Sequence, residues 1–137
     1  MDSQGAPGAA PKLRHEDLTK EIIGAAIEVH KAVGPGLLEG VYEECLCHEL
    51  ALRKLRFDRQ LIVPVTYKGM TLDCGYRLDI LVEKTVILEL KSVDRMHPIF
   101  EAQLLTYMRL LEKPVGLLIN FNVPLIKQGI QRVVNGL

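Results

Sequence analysis

Between Thr85 and Ser92 the chain reads Val-Ile-Leu-Glu-Leu-Lys, and no other stretch constrains the fold as strongly. Val86, Ile87, Leu88 and Leu90 have the character of an interior strand, yet Glu89 and Lys91 stand among them. Side chains alternate faces along a strand, so Glu89 and Lys91 share one face while Leu88 and Leu90 take the other and the core. Just upstream, Tyr-Arg-Leu-Asp-Ile-Leu-Val (76–82) puts Asp79 in a second apolar strand. A turn centred on Glu83 and Lys84 pairs the two strands and brings Asp79 opposite residue 88 or 89. Two carboxylates and one lysine then converge on one spot of a sheet. One reading is a buried ion pair of Lys91 with Asp79 or Glu89, which is costly to desolvate and rarely adds net stability. The other is a site for a hard divalent cation, which the excess negative charge would attract.

The rest of the chain supplies a frame for these strands. Residues 17–33 carry apolar side chains at 18, 22, 23, 26, 27, 29 and 33, a helical recurrence. Gly-Pro-Gly at 34–36 breaks it. A second helix follows over 37–55, with an apolar face on Leu38, Val41, Leu46 and Leu50. Residues 57–92 turn rich in Val, Ile, Leu, Tyr and Thr, with turns at Lys68-Gly69 and Glu83-Lys84. They predict a meander of three strands near 59–67, 70–82 and 85–92. Pro98 opens a helix through Glu112, residues 113–122 hold a buried strand, and 123–134 predict one short helix. The order is α-α-β-β-β-α-β-α.

The chain has 137 residues, 48% of them hydrophobic, enough for one domain with a core. The Gly-, Ala- and Pro-rich residues 1–16 read as a flexible tail, and 17–137 as the domain. Basic and acidic residues balance at 17 each, which argues against a tail-driven nucleic-acid binder. No apolar run is long enough for a membrane span, and the N-terminus lacks the pattern of a secretory signal. Three cysteines, Cys45, Cys47 and Cys74, fit a reducing, cytoplasmic setting. They read as small, mostly buried thiols rather than half of a metal knuckle.

Further residues extend the carboxylate cluster. Gln103 and Tyr107 are four apart and share a helical face, although a glutamine there also suits a surface. Glu39 near a helix start suits the positive end of the macrodipole equally well. Taken together, Gly36, Glu39 and Tyr42 in Gly-Leu-Leu-Glu-Gly-Val-Tyr resemble the signature of the GxxExxY protein family. Arg-Leu-Asp at Asp79, Glu-Leu-Lys at Glu89 and Lys91, and Gln-Leu-Leu-Thr-Tyr at Gln103 and Tyr107 resemble the motifs of the PD-(D/E)xK nuclease superfamily. Leu78 stands where that name has proline. The resemblance covers roughly residues 17–130.

It implies a restriction-endonuclease-like fold, an α/β domain whose mixed sheet is flanked by helices. It also implies a metal-dependent nuclease that hydrolyses phosphodiesters of DNA or RNA. By the same resemblance Asp79 and Glu89 would ligate Mg²⁺ or Mn²⁺, helped by the backbone carbonyl of Leu90. Glu39 would be an additional acidic ligand or hold a water, and Tyr42 would pack beside it at the site. Lys91 would position the attacking water and face charge on the phosphate, with Gln103 and Tyr107 behind the ligands or against the phosphate. His30 would reach the substrate or serve capping or packing, and His97 and Arg95, which follow the site strand, touch a phosphate or are exposed in the loop. Arg53, Lys54, Arg56 and Arg59 form a basic cluster that tracks a nucleic-acid backbone or is a solvated face. The rival to an enzyme is a catalytically silent, nuclease-derived binding or assembly module. A homodimer or larger complex is the expected setting if the short chain does not act alone.

Overall fold

A computed structural model describes residues 15–136. The predicted tail lies outside the described residues except for its last two positions, which are already helical. Helix α1 spans His15–Val33, two residues earlier than expected, and buries Leu18, Ile22, Ala25, Ala26 and Val29 along one stripe. It stops where Gly34 and Gly36 take φ of +72° and +93°, a backbone that L side chains resist. Helix α2, Glu39–Leu52, buries Tyr42, Glu43, Leu46, Cys47 and Leu50. The expected apolar face therefore holds at Leu46 and Leu50 but not at Leu38, 80% exposed, or Val41, 41% exposed. Spacing had grouped them, but the sheet takes the stripe one residue round, on Tyr42.

The first predicted strand is two elements. Strands β1 (Phe57–Ile62) and β2 (Val65–Tyr67) are separated at Pro64, and β3 (Met70–Leu72) and β4 (Arg77–Val82) by a turn in which Gly75 N–H donates to Asp73 Oδ1. Proline has no N–H to give a ladder. β2 and β3 form a small hairpin of their own, while β1 pairs antiparallel with β4. β4 turns at Glu83 and Lys84, both at positive φ, into β5 (Val86–Lys91). Helix α3, Pro98–Leu110, then crosses to β6 (Val115–Asn120), which lies parallel to β5.

The expected terminal helix is instead a 3₁₀ turn, Ile126–Gly129, and a strand β7, Ile130–Val134, antiparallel to β6. A Cβ at Gly129 would collide with the carbonyl oxygen of Asn120, so the chain folds back tightly there. Every residue of β6 is buried, and β7 covers what would be its open edge. The sheet order is β1-β4-β5-β6-β7.

Two cores sit on the two faces of this sheet. α1 and α2 pack on Ile80, Val82, Leu88, Leu90, Leu117 and Ile119. α3 packs through Leu104, Tyr107 and Met108 on Leu81, Ile87 and Leu118. Leu88 and Leu90 thus face the opposite side from Glu89, as strand alternation requires. Cys47 is buried, and burial pushes its thiol up to about 11. Cys74, expected to be buried, is exposed on the loop before β4. Among the described residues no helix is long and apolar enough to cross a membrane.

Candidate active site

The β4–β5 ladder pairs Val82 with Val86 and Ile80 with Leu88, a register that sets Asp79 opposite Glu89. There the backbone pairing gives way to side chains. Asp79 N–H donates to Glu89 Oε2 at 2.8 Å, and Leu90 N–H donates to Asp79 Oδ2 at 2.7 Å. Each carboxylate therefore caps an N–H of the opposite strand, and the two are locked side by side. Glu89 is 6% exposed, and its second oxygen has no hydrogen-bond partner among the described residues.

The electrostatics are those of an uncompensated pair. Burial, and then the charge of Asp79, push the Glu89 carboxyl from the ordinary 4.5 up to about 8; the Asp79 N–H and the Lys91 charge act against this. Burial also raises Asp79, with Glu43 and Glu39 adding to the rise and the Leu90 N–H opposing it. Lys91 does not form the buried ion pair that the sequence left open. Its ammonium sits 4.4 Å from the ring centroid of Phe100, a cation–π contact, and among the described residues it makes no ion pair.

The start of α2 is bound to the end of β5. Tyr42 hydroxyl donates to the Gly34 carbonyl at 2.6 Å and accepts from Leu37 N–H at 3.1 Å. Ser92 hydroxyl donates to the Leu37 carbonyl at 2.5 Å. These bonds fix the loop that launches α2 and hold exposed Glu39 where its charge raises both carboxyls. Tyr42 itself is 0% exposed and stacks on Phe121 at 4.4 Å, so its hydroxyl is spent on the loop. His30 Nε2–H donates to the Val123 carbonyl at 2.8 Å. His97 caps α3 by accepting from Ile99 N–H.

One turn after Glu39, Glu43 is a residue that sequence reasoning missed, though its spacing from Glu39 was a signal. It is buried and is clamped by Arg59 at 2.8 Å. Gln60 donates from Nε2 to Glu43 Oε1 at 2.8 Å and reaches Asp79 Oδ1 at 3.4 Å. The basic cluster is thereby divided. Arg59 serves Glu43 and Glu44, and Arg53 serves Glu49 and Glu21. On α3, Gln103 Nε2 donates to the Tyr107 hydroxyl at 2.9 Å, as their spacing suggested. Burial raises the Tyr107 phenol, and the charge of Glu89 adds to that.

Among the described residues no three Asp, Glu, His or Cys side chains close on one point. Asp79 and Glu89 make a two-carboxylate site, and Glu39 does not complete a three-acid cage with them. A buried Glu89 and a half-buried Asp79, mutually repelling and with an oxygen to spare, fit a hard cation that keeps several waters.

A family model for the PD-(D/E)XK nuclease superfamily matches residues 16–133. No curated protein and no solved structure matches the chain. The match spans all of the elements around Asp79 and Glu89, and the five-stranded mixed sheet with helices on both faces is the restriction-endonuclease-like fold. By that match over nearly all of its described length, the chain belongs to the PD-(D/E)XK nuclease superfamily.

Proposed function

We propose that this protein is a metal-dependent nuclease of the GxxExxY type that hydrolyses phosphodiester bonds at Asp79 and Glu89, with Mg²⁺ or Mn²⁺. The observation that carries the reading is the locked pair of a buried Glu89 and a half-buried Asp79, with which Lys91 makes no ion pair. As a structural feature alone such a pair costs stability; as a cation site it has a use. A bound divalent ion polarises a phosphoryl group and acidifies a water. Asp79 and Glu89 hold that ion, with the Leu90 carbonyl as a further donor and Glu39 as an outer acid. Lys91 keeps a fixed positive charge for the charge that develops on the phosphate. Gln103 orients the Tyr107 phenol, which rests behind the acids.

A binding or assembly module is the second reading, favoured by the pairing of Arg53 and Arg59 within the chain, which takes two arginines of the basic cluster away from a substrate. Melting curves with and without Mn²⁺, together with cleavage of labelled single- and double-stranded substrates, separate the two. A nuclease gains about 2.7 kcal/mol at a hundredfold excess of Mn²⁺ over Kd. Lys91→Ala keeps that gain and loses cleavage by about a hundredfold or more. A melting temperature that ignores both Mg²⁺ and Mn²⁺ would sink the enzyme.

A further inference from the structure

We propose that the groove between α3 and the loop before β4 holds an unstacked base, so that the site takes single-stranded nucleic acid in preference to a duplex. This inference rests on the nuclease reading for the phosphate and adds the part of the substrate next to it. The groove has a volume of about 310 Å³ and is lined by Tyr76, Ile99, Ala102, Gln103, Thr106 and Tyr107, among others, with no charged side chain in its wall. Tyr76 and Ile99 are 47% and 58% exposed. The Tyr76 ring lies 6.3 Å from that of Tyr107, tilted by 53°, so the two offer one aromatic wall with an open face.

Two residues tie the groove to the acidic pair, Tyr107 in its wall and Tyr76 just before the strand of Asp79. Tyr107 lines it and also feels the charges of Glu89 and Asp79. Tyr76 precedes Asp79 by three residues, which is roughly 10 Å along an extended chain. A base laid on Tyr76 thus leaves its own phosphate within reach of the carboxylates. An uncharged aromatic wall has nothing for a phosphate and much for the π-face of a base. A duplex keeps its bases stacked and offers phosphates instead, and two arginines of the basic cluster, Arg53 and Arg59, are already occupied by Glu49 and Glu43. Single strands of DNA and of RNA present the same unstacked base.

The test is binding in EDTA, read by anisotropy of labelled oligodeoxythymidylate, oligouridylate and a DNA duplex of equal length. Either or both single strands bind about tenfold or more tightly than the duplex. Tyr76→Ala weakens single-strand binding about tenfold, and Tyr76→Phe, which keeps the ring, restores it. Ala102→Leu, which fills the groove from an exposed position, weakens it too. Duplex binding equal to single-strand binding, or indifference to both Tyr76→Ala and Ala102→Leu, overturns the proposal. So does a dimer that Tyr76→Ala dissociates without changing single-strand affinity, because the groove is then an interface between copies. The Mn²⁺ response of the melting temperature stands apart from these outcomes. A chain that ignores Mn²⁺ yet grips single strands through Tyr76 keeps the groove and loses the nuclease; one that responds to Mn²⁺ but prefers duplex does the reverse.

Discussion

At the scale of single residues, Glu89 decides how the protein responds to pH. Its folded carboxyl is raised from 4.5 to about 8, chiefly by burial and by Asp79. A raised acid makes the folded state the better proton binder between those values. Stability from this source is therefore complete below about pH 4.5 and is lost as pH rises through about 8. Asp79 is raised as well and acts in the same direction. Without metal, the wild type should melt lower at pH 8.5 than at pH 6. Glu89→Gln keeps an oxygen for the Asp79 N–H but cannot ionise, so its slope over this range should be much flatter. Each kcal/mol relieved moves the melting temperature by about 4 °C. Equal slopes for the two proteins in EDTA would show that Glu89 is not the titrating group. Glu89 and Lys91 were legible as one face of a strand because alternation is a local rule. That Lys91 rests on Phe100 was not, because its contact comes from a helix beyond the loop.

At the scale of elements, the loop of residues 34–38 and the first turn of α2 act as a bracket on the end of β5. Its strength comes from two bonds to the Tyr42 hydroxyl and one from Ser92. Tyr42→Phe retains the ring against Phe121 and removes only the hydroxyl. The Gly34 carbonyl and Leu37 N–H then lose a partner, and stability should fall by about 1–3 kcal/mol. Hydrogen exchange should speed up at Leu37 more than in β5 or β6. A uniform change across the protein would instead make Tyr42 a general core residue with no special hold on the loop. Sequence spacing put Tyr42 near Glu39 along the helix, and the tertiary fold turns its ring into the core against Phe121. Helical periodicity ranks positions around an axis and does not say which angle meets the sheet.

At the scale of the whole molecule, charge is balanced at 17 basic and 17 acidic residues, and two arginines of the basic cluster, Arg53 and Arg59, are committed inside the chain. A nucleic-acid ligand should then release few counterions. For a single strand the slope of log affinity against log salt is about −0.7 for each phosphate contact. One or two contacts give a slope near −1, measured by titration at several salt concentrations. A slope steeper than about −3 would reveal a basic surface that the ion pairs do not account for. The same balance explains how a short chain can place two carboxylates in one sheet: both faces of that sheet are covered, one by α1 and α2 and the other by α3.

What the sequence by itself determined was what short-range rules control. Alternation set Glu89 against Leu88 and Leu90, the Glu83-Lys84 turn brought Asp79 opposite residue 88 or 89, and four-residue spacing joined Gln103 to Tyr107. Each depends on backbone geometry within one or two neighbouring elements. The tertiary structure alone decided the rest. It turned residues 130–134 into a strand, because buried β6 had an edge to cover and Gly129 allowed the tight return. It buried Glu43, because Arg59 and Gln60 arrive from β1 to satisfy it. It left Asp79 and Glu89 without an ion pair to Lys91, whose ammonium lies over the Phe100 ring while its charge still reaches Glu89. Those outcomes depend on which distant segment reaches a surface, and no pattern within the segment itself carries that information.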